Sequence, residues 1–129
     1  MAITGKKIVI TGGAGFIGST LAGRLAEQNK IVLFDSLARN TIQHTSLQNN
    51  TNISLVQGDI LDPLAVTKAF EGADIVVHAA AIAGIDTVIK SPVRTMEVNM
   101  IGTANVLRAA QLAGVPDRVI EFSTSEVFG

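Results

Sequence analysis

The feature that most constrains this chain is a glycine-rich run, TGGAGFIG, at residues 11–18. It follows the apolar stretch 7–10 and opens a helical pattern, so it lies between a predicted strand and a predicted helix. Gly12 permits a sharp exit from the strand, Gly15 lets the backbone approach a pyrophosphate, and Gly18 lets the helix lie close to the sheet. The first amides of the helix would face the phosphates, assisted by the helix dipole. The run therefore predicts a dinucleotide-binding turn.

An acidic residue follows at a suitable distance. Asp35 ends the second predicted strand, 17 residues after Gly18. A carboxylate at this place accepts hydrogen bonds from an adenosine ribose and repels a ribose 2′-phosphate, which favours NAD over NADP. Arg39 lies nearby in the sequence, and its positive charge would attract a 2′-phosphate and so favour NADP. The alternative is a tight turn without a ligand and a surface aspartate.

Composition indicates one globular domain. The 129 residues are 47% apolar and 16% charged, which suits a single sizeable core. The net charge of −1 gives no reason to expect nucleic acid or a membrane as partner. Cysteine is absent, and His44 and His78 lack metal-ligand spacing, so we predict no metal site. The sequence shows neither a membrane-spanning run nor a signal peptide, and the cytoplasm is the expected location.

Strand-like and helical patterns alternate along the chain. The predicted strands cover 8–11, 31–35, 53–57, 74–80 and 118–123, and the predicted helices cover 15–28, 63–72 and 92–113. Strands rich in Ile and Val without alternation suit a parallel sheet that is covered on both faces. We therefore predict an α/β fold in one domain over 1–129. It is a Rossmann-type doubly wound parallel sheet in three α/β/α layers, with strand order 3-2-1-4-5.

Two further segments lie at the carboxyl ends of predicted strands, where open α/β sheets bind ligands. In the GDI segment 58–60, Asp59 could accept a hydrogen bond from an adenine amino group, and a turn-forming aspartate is the alternative. In 79–81, three alanines would let a flat cofactor approach the backbone, and simple packing of small residues is the alternative. We expect His78 to be a partly buried residue whose hydrogen bonds go to backbone, not a catalytic one.

Two polar features lie in the second half of the chain. Asn99 lies inside a predicted helix, although asparagine is a poor helix former. A side-chain bridge from this helix to strand four would explain its presence. The alternative is an exposed asparagine with no effect on the structure. The segment 123–126, STSE, follows the fifth strand. Its hydroxyls could bind a substrate hydroxyl that loses its proton, and Glu126 could serve as acid or base. A polar loop is the alternative.

The predicted helix 92–113 carries more apolar positions than one stripe needs. Its two apolar sets are Val93, Met96, Met100, Ala104 and Leu107, and Val98, Ile101 and Leu112. One face should cover the sheet. The other should cover a partner subunit, unless the helix is deeply buried.

These motifs occur in an order that resembles one family. TGGAGFIG, Asp35, GDI, the HAAA of 78–81, the Asn-x-x-Gly-Thr that begins at Asn99 and the STSEVFG of 123–129 closely resemble the extended short-chain dehydrogenase/reductases, the NAD-dependent sugar-nucleotide epimerase/dehydratase family. The resemblance covers the whole chain but only the first part of such an enzyme. It implies a Rossmann-type NAD domain, a smaller C-terminal domain for a nucleotide-sugar substrate, and a homodimer through the helix 92–113.

The resemblance also implies roles for individual residues. It assigns cofactor binding to Gly12, Gly15, Phe16, Ile17, Gly18, Asp35, Ser36, Asp59, Ile60, Ala79, Ala80, Ala81, Asn99 and Ser123. Thr124 matches the catalytic Ser/Thr of the family, and Glu126 resembles the acid/base carboxylate of the dehydratase and decarboxylase branches. In such an enzyme, bound NAD transiently oxidises a sugar hydroxyl at C4.

The chain departs from the family in containing no tyrosine. In the family, the tyrosine of a Tyr-x-x-x-Lys motif removes the proton while hydride passes to NAD, and we expect that motif beyond Gly129. The usual Val-Tyr-Gly is Val-Phe-Gly at 127–129. We therefore expect the chain by itself to be inactive. A NAD-binding module or a regulatory relative without catalysis is the alternative.

Overall fold

A computed structural model describes residues 2–43 and 45–128. The strands are β1 (Lys7–Thr11), β2 (Lys30–Asp35), β3 (Ile53–Gln57), β4 (Ile75–His78) and β5 (Arg118–Glu121). The helices are α1 (Phe16–Leu25), α2 (Pro63–Ala69), α3 (Ile85–Lys90), α4 (Pro92–Met96) and α5 (Thr103–Leu112). A π-helical segment, Glu97–Gly102, joins α4 to α5, and short 3-10 turns lie at Ser46–Asn49 and Ser125–Phe128. We refer to α4, the π segment and α5 together as the 92–112 helix.

The strands form one parallel sheet in the order β3-β2-β1-β4-β5, which confirms the predicted Rossmann-type topology. β1 lies at the centre, where Ile8 pairs with Ile31 of β2 and Ile75 of β4. Val9 belongs to a core cluster with residues of α2 and α5, whereas Ile8 and Ile10 belong to a second cluster with residues of α1. Both faces of the central strands β2, β1 and β4 are thus covered, which explains why these strands show no polar alternation.

Helix α2 begins as its sequence predicts. The Asp62 side chain accepts hydrogen bonds from the N–H groups of Leu64 and Ala65 at 3.0 and 3.1 Å, and Pro63 occupies the first helical position. The helix ends at Ala69, and Gly72 beyond it has a φ of +68°. A left-handed glycine there allows the chain to turn toward β4.

Helix α1 is shorter than predicted. It ends at Leu25 instead of Gln28. The buried amide of Asn29 donates to the carbonyls of Ile3 and Leu25 and accepts from the N–H of Lys6. This asparagine therefore ties the end of α1 to the chain that precedes β1, which stops the helix early.

The 92–112 helix differs from an ordinary α-helix. The π segment widens it at its centre, and the separate helix α3, which we did not predict, precedes it after Gly84 at a φ of +99°. Val98 and Val106 are buried on the sheet, but Val93 and Met100 are 71% and 60% exposed. One face of the helix therefore covers the sheet, and deep burial on all sides is wrong.

Strand β5 pairs only with β4 among the strands of the described residues. Val119 and Ile120 are partly exposed on it, as is Phe122 just after it. The strand stops at Glu121, two residues before the predicted end. Within the described residues, no helix has the length and apolar character needed to cross a membrane.

Candidate functional site

A cavity of about 700 Å³ lies at the carboxyl ends of β1, β2, β3 and β4. Twelve of the residues assigned to the cofactor from sequence line it: Gly12, Gly15, Phe16, Ile17, Gly18, Asp35, Ser36, Asp59, Ile60, Ala79, Ala80 and Ala81. The position agrees with the general rule for open α/β sheets, because the strand order reverses between β1 and β4 and leaves a crevice there.

The glycines of the turn have different roles. Gly12 has a φ of +66°, and a Cβ on it would lie 2.7 Å from the Ala80 nitrogen. A Cβ on Gly18 would lie 2.5 Å from the Gly12 oxygen. These two glycines are therefore required by packing within the protein. A Cβ on Gly15 would meet only the Gly12 oxygen, at 3.2 Å, so Gly15 keeps open the approach to the first turn of α1.

Asp35 is buried, and its carboxylate already has two partners inside the protein. Oδ2 accepts from the Ala14 N–H at 2.9 Å, and Oδ1 accepts from the Leu37 N–H at 2.8 Å. Leu37 is the one described non-glycine residue with a positive φ, at 63°. Each carboxylate oxygen has a second lone pair that a ribose hydroxyl can use. Asp35 thus holds the glycine turn and the chain after β2, a role that the sequence did not show.

Asp59 is paired with an arginine that the sequence analysis missed. Its Oδ2 lies 2.7 Å from Nη2 of Arg94, and its Oδ1 accepts from the Leu61 N–H at 2.9 Å. Partial burial raises the pKa of the Asp59 carboxyl, but the Leu61 and Arg94 hydrogen bonds outweigh it and the net pKa is lowered. Arg94 also lines the cavity. No local pattern marks this residue, because its partner comes from a loop 35 positions away.

Ile60 is held from the 92–112 helix. The Asn105 amide donates to the Ile60 carbonyl at 3.0 Å, and a Cβ on Gly102 would lie 2.5 Å from the Ile60 Cδ1. Asn105 is buried. Like Asn99, it is a poor helix former inside a helix, and that signal could have identified it.

Asn99 is bonded to the loop that follows β4 and not to the strand itself. Its Oδ1 accepts from the Ile82 N–H at 2.8 Å, and its Nδ2 donates to the Ile82 carbonyl at 2.9 Å. Ile82 lines the cavity, and Asn99 does not. The predicted bridge from the helix therefore exists, but the structure places Asn99 behind the cavity wall.

His78 is buried and is held by side chains, so the expectation of backbone partners is wrong. Its Nδ1 lies 2.6 Å from Oγ1 of Thr11, and its Nε2 lies 3.0 Å from Oγ1 of Thr103. Burial lowers the pKa of the imidazole, which is therefore neutral at pH 7.

The segment after β5 lies apart from the cavity in the structure. Ser123 and Thr124 are exposed and are absent from the described residues that line the cavity. The Phe122 N–H donates to the His78 carbonyl, which places the start of this segment beside the end of β4. The Glu126 side chain and His44 lie outside the described residues. The described part of the chain contains no cluster of three or more metal-ligating side chains.

Together, the sheet topology and the glycine-lined cavity define a dinucleotide-binding domain of the Rossmann type. Residues 8–129 match the model of the NAD dependent epimerase/dehydratase family. The chain belongs to this family, and the cofactor of the family is NAD.

Individual relatives agree with this assignment. The chain is 38% identical over 126 residues to the UDP-N-acetyl-alpha-D-glucosaminuronate decarboxylase of Bacillus cytotoxicus. This alignment covers 96% of the present chain and 38% of the decarboxylase. The UDP-N-acetylglucosamine 4-epimerase of Methanobrevibacter ruminantium, solved with UDP-N-acetylmuramic acid, superimposes with a TM-score of 0.89 at 28% identity, over 98% of this chain and 40% of that one. The UDP-glucose 4-epimerase of Brucella ovis, solved with NAD, superimposes with a TM-score of 0.82 at 31% identity. The superposition covers 96% of this chain and 37% of the epimerase. The chain thus spans about two fifths of the length of these relatives.

Proposed function

We propose that this chain is the NAD-binding part of an enzyme that transiently oxidises a nucleotide-sugar hydroxyl at C4, as an epimerase, dehydratase or decarboxylase. The observation that carries the proposal is the cavity in which the glycine turn faces Asp35 across the carboxyl end of the sheet. The residues fit a dinucleotide, because Gly12 lets the turn pack closely on the Ala79–Ala80 backbone and Gly18 lets α1 pack on the turn. Gly15 leaves the first amides of α1 open to a pyrophosphate.

In this proposal, different residues of the cavity bind different parts of NAD. The amides at the start of α1 bind the pyrophosphate, and the free lone pairs of Asp35 accept the ribose hydroxyls. Asp59 and Ile60 flank the adenine, with Ser36 beside them. Ala79, Ala80 and Ala81 let the cofactor lie against the backbone beyond β4.

Bound NAD supplies a hydride acceptor that takes the hydride from the sugar carbon and later returns it. Thr124 would hold the sugar hydroxyl, and Glu126 would serve as acid or base, with Ser123 nearest the cofactor. These roles follow from the family pattern. The relatives include both a decarboxylase and epimerases, so the proposal covers each of these reaction branches.

A second candidate is a NAD-binding module or regulatory relative without catalysis. What supports it is that the described residues provide a cofactor cavity, whereas Thr124, which matches the catalytic Ser/Thr of the family, does not line it. A Tyr-x-x-x-Lys motif downstream of residue 129 in the natural gene would decide for the enzyme. We further propose the cytoplasm as the location, with neither nucleic acid nor a membrane as a partner.

We expect NAD to bind more tightly than NADP, because the Asp35 carboxylate repels a 2′-phosphate even with Arg39 lining the same cavity. Asp35→Asn should lower NAD affinity about tenfold, since its amide would set a donor against the N–H of Ala14 or Leu37. The same change should narrow the gap to NADP. Titration calorimetry with both cofactors measures these affinities.

The matched control is Asp117→Asn, which removes an aspartate paired with Lys6 at the opposite end of the sheet. It should leave both affinities unchanged. Equal or tighter binding of NADP by the unaltered protein would contradict the proposed preference.

We propose that the protein forms a homodimer through the exposed apolar surface of the 92–112 helix. This outer face is an open groove of about 460 Å³ lined by Pro92, Val93, Met96, Glu97, Met100 and Ile101. Light scattering should give the mass of a dimer at micromolar concentration. Met100→Lys should give a monomer, because a second copy would have to bury the added charge.

The control for this experiment is Leu64→Lys, which changes an exposed leucine on α2, away from the outer face. It should leave the dimer intact. A monomer in the unaltered protein would refute the dimer. If Met100→Lys still forms a dimer, the dimer interface would instead lie at the unpaired edge of β5.

A further inference from the structure

A buried chain of hydrogen bonds runs from the cavity floor through His78 to the 92–112 helix. His78 is 2% exposed and ends β4. Its ring joins Thr11, the last residue of β1, to Thr103, the first residue of α5. Thr11 begins the TGGAGFIG run and Thr103 ends the Asn-x-x-Gly-Thr motif, but the proposed function assigns nothing to either threonine or to His78.

The partners of the two hydroxyls determine the direction of every bond in this chain. Thr11 Oγ1 lies 3.4 Å from the Ala80 nitrogen and accepts its N–H, which leaves its own hydrogen for Nδ1 of His78 when that nitrogen is unprotonated. Thr103 Oγ1 donates to the Asn99 carbonyl at 2.8 Å, so it accepts the Nε2–H of His78. This arrangement requires the neutral Nε2–H tautomer. A protonated ring would leave the Thr11 hydrogen without an acceptor.

The chain ends on atoms that form the wall of the cavity. The Ala79 N–H donates to the Thr11 carbonyl at 3.1 Å, and the Ala80 N–H reaches the Thr11 hydroxyl. The Ala80 nitrogen is also the atom that a Cβ on Gly12 would strike. Thr11 therefore binds the alanine segment beside the glycine turn through both its carbonyl and its hydroxyl, and the hydroxyl is in turn bonded to His78.

We propose that His78 is a positioning residue of the cofactor cavity, which as its Nε2–H tautomer locks Thr11 and Thr103 and thereby holds Ala79–Ala80 against the Gly12 turn. This proposal rests on the proposed NAD binding. His78 is not among the residues that line the cavity, and it acts through the two threonines.

The test compares two threonines of the same helix. Thr103→Val leaves the buried Nε2–H without an acceptor, and NAD affinity should fall about tenfold. Thr103→Ser restores the hydroxyl and should restore the affinity. Thr95→Val is the matched control, because Thr95 is buried and donates to the Ser91 carbonyl at 2.8 Å but is not among the residues that line the cavity. It should bind NAD like the unaltered protein. Calorimetry well below each melting temperature keeps every variant folded.

A second measurement does not depend on any substitution at the network. Nitrogen NMR of the unaltered protein, with His44→Gln to assign the two histidines, should show a protonated Nε2 and an unprotonated Nδ1 at His78 near neutral pH. An Nδ1–H tautomer would overturn the proposal. So would unchanged NAD affinity in Thr103→Val, or an equal loss in Thr95→Val. Absence of NAD binding by the unaltered protein would instead refute the proposed function, and the positioning role with it.

Discussion

Gly15→Val should abolish NAD binding while leaving the fold in place. Gly15 precedes α1 in an extended conformation, with φ −80° and ψ 174°, which a branched residue adopts without strain. Its added Cβ would meet only the Gly12 oxygen, at 3.2 Å, so the turn must shift by a few tenths of an ångström. The valine methyl groups would occupy the space through which a pyrophosphate reaches the first amides of α1.

The expected loss of affinity exceeds about 100-fold, because two or more charge-assisted hydrogen bonds to the phosphates are lost together. Calorimetry measures the affinity, and circular dichroism with thermal melting reports the fold. Gly23→Ala, on an exposed position of the same helix, is the control and should change neither.

Gly12→Ala provides the opposite case. Its φ of +66° costs an alanine about 1–2 kcal/mol, and the Cβ would collide with the Ala79–Ala80 backbone, so stability and binding should fall together.

A native circular dichroism spectrum with retained NAD affinity in Gly15→Val would show that the glycine turn is not the cofactor site.

A protein of these 129 residues alone should show no epimerase, dehydratase or decarboxylase turnover. Oxidation of a sugar hydroxyl requires a base to remove its proton as the hydride leaves, and the family places a tyrosine in that role. The chain has no tyrosine, and the segment that includes Thr124 lies outside the cavity wall. General acid–base catalysis contributes roughly 10²–10⁴-fold, and the sugar would also lack its binding domain.

Product formation from UDP- and dTDP-sugars with added NAD measures this directly. The UDP-glucose 4-epimerase of Brucella ovis, assayed in parallel with UDP-glucose, confirms that the assay detects turnover. Turnover by the 129-residue protein on the order of 10 s⁻¹, a typical enzyme rate, would mean that another residue supplies the base. The assignment of roles from the family pattern would then be wrong.

Local patterns were sufficient for the architecture. Each strand of the sheet is a short Ile/Val run, and each run is separated from the next by a segment too long for a hairpin. Parallel order with right-handed crossovers then follows from general chain geometry. The start of α2 at Asp62 and the turn at Gly12 were equally accessible, because their hydrogen bonds or backbone angles involve neighbouring residues.

The contacts inside the cavity wall were not accessible in this way. The sequence predicts Asp35 as a ligand for a ribose, and that role stays a prediction. It did not show that the same carboxylate accepts from the Ala14 N–H, 21 positions earlier. The partner of Asp59 is 35 positions away at Arg94, and the partner of His78 is 67 positions away at Thr11. No periodicity or spacing relates such pairs, because they meet only when strands and helices have packed.

The sequence by itself therefore determined the Rossmann topology, the family and the position of the glycine turn, since these depend on short-range patterns of apolar residues and glycine. Only the tertiary structure decided how the turn is held: by Asp35 from β2, by Thr11 and His78 from two adjacent strands, and by the 92–112 helix behind them. The physical reason is that a buried polar group needs a partner, and folding brings that partner from a distant part of the chain.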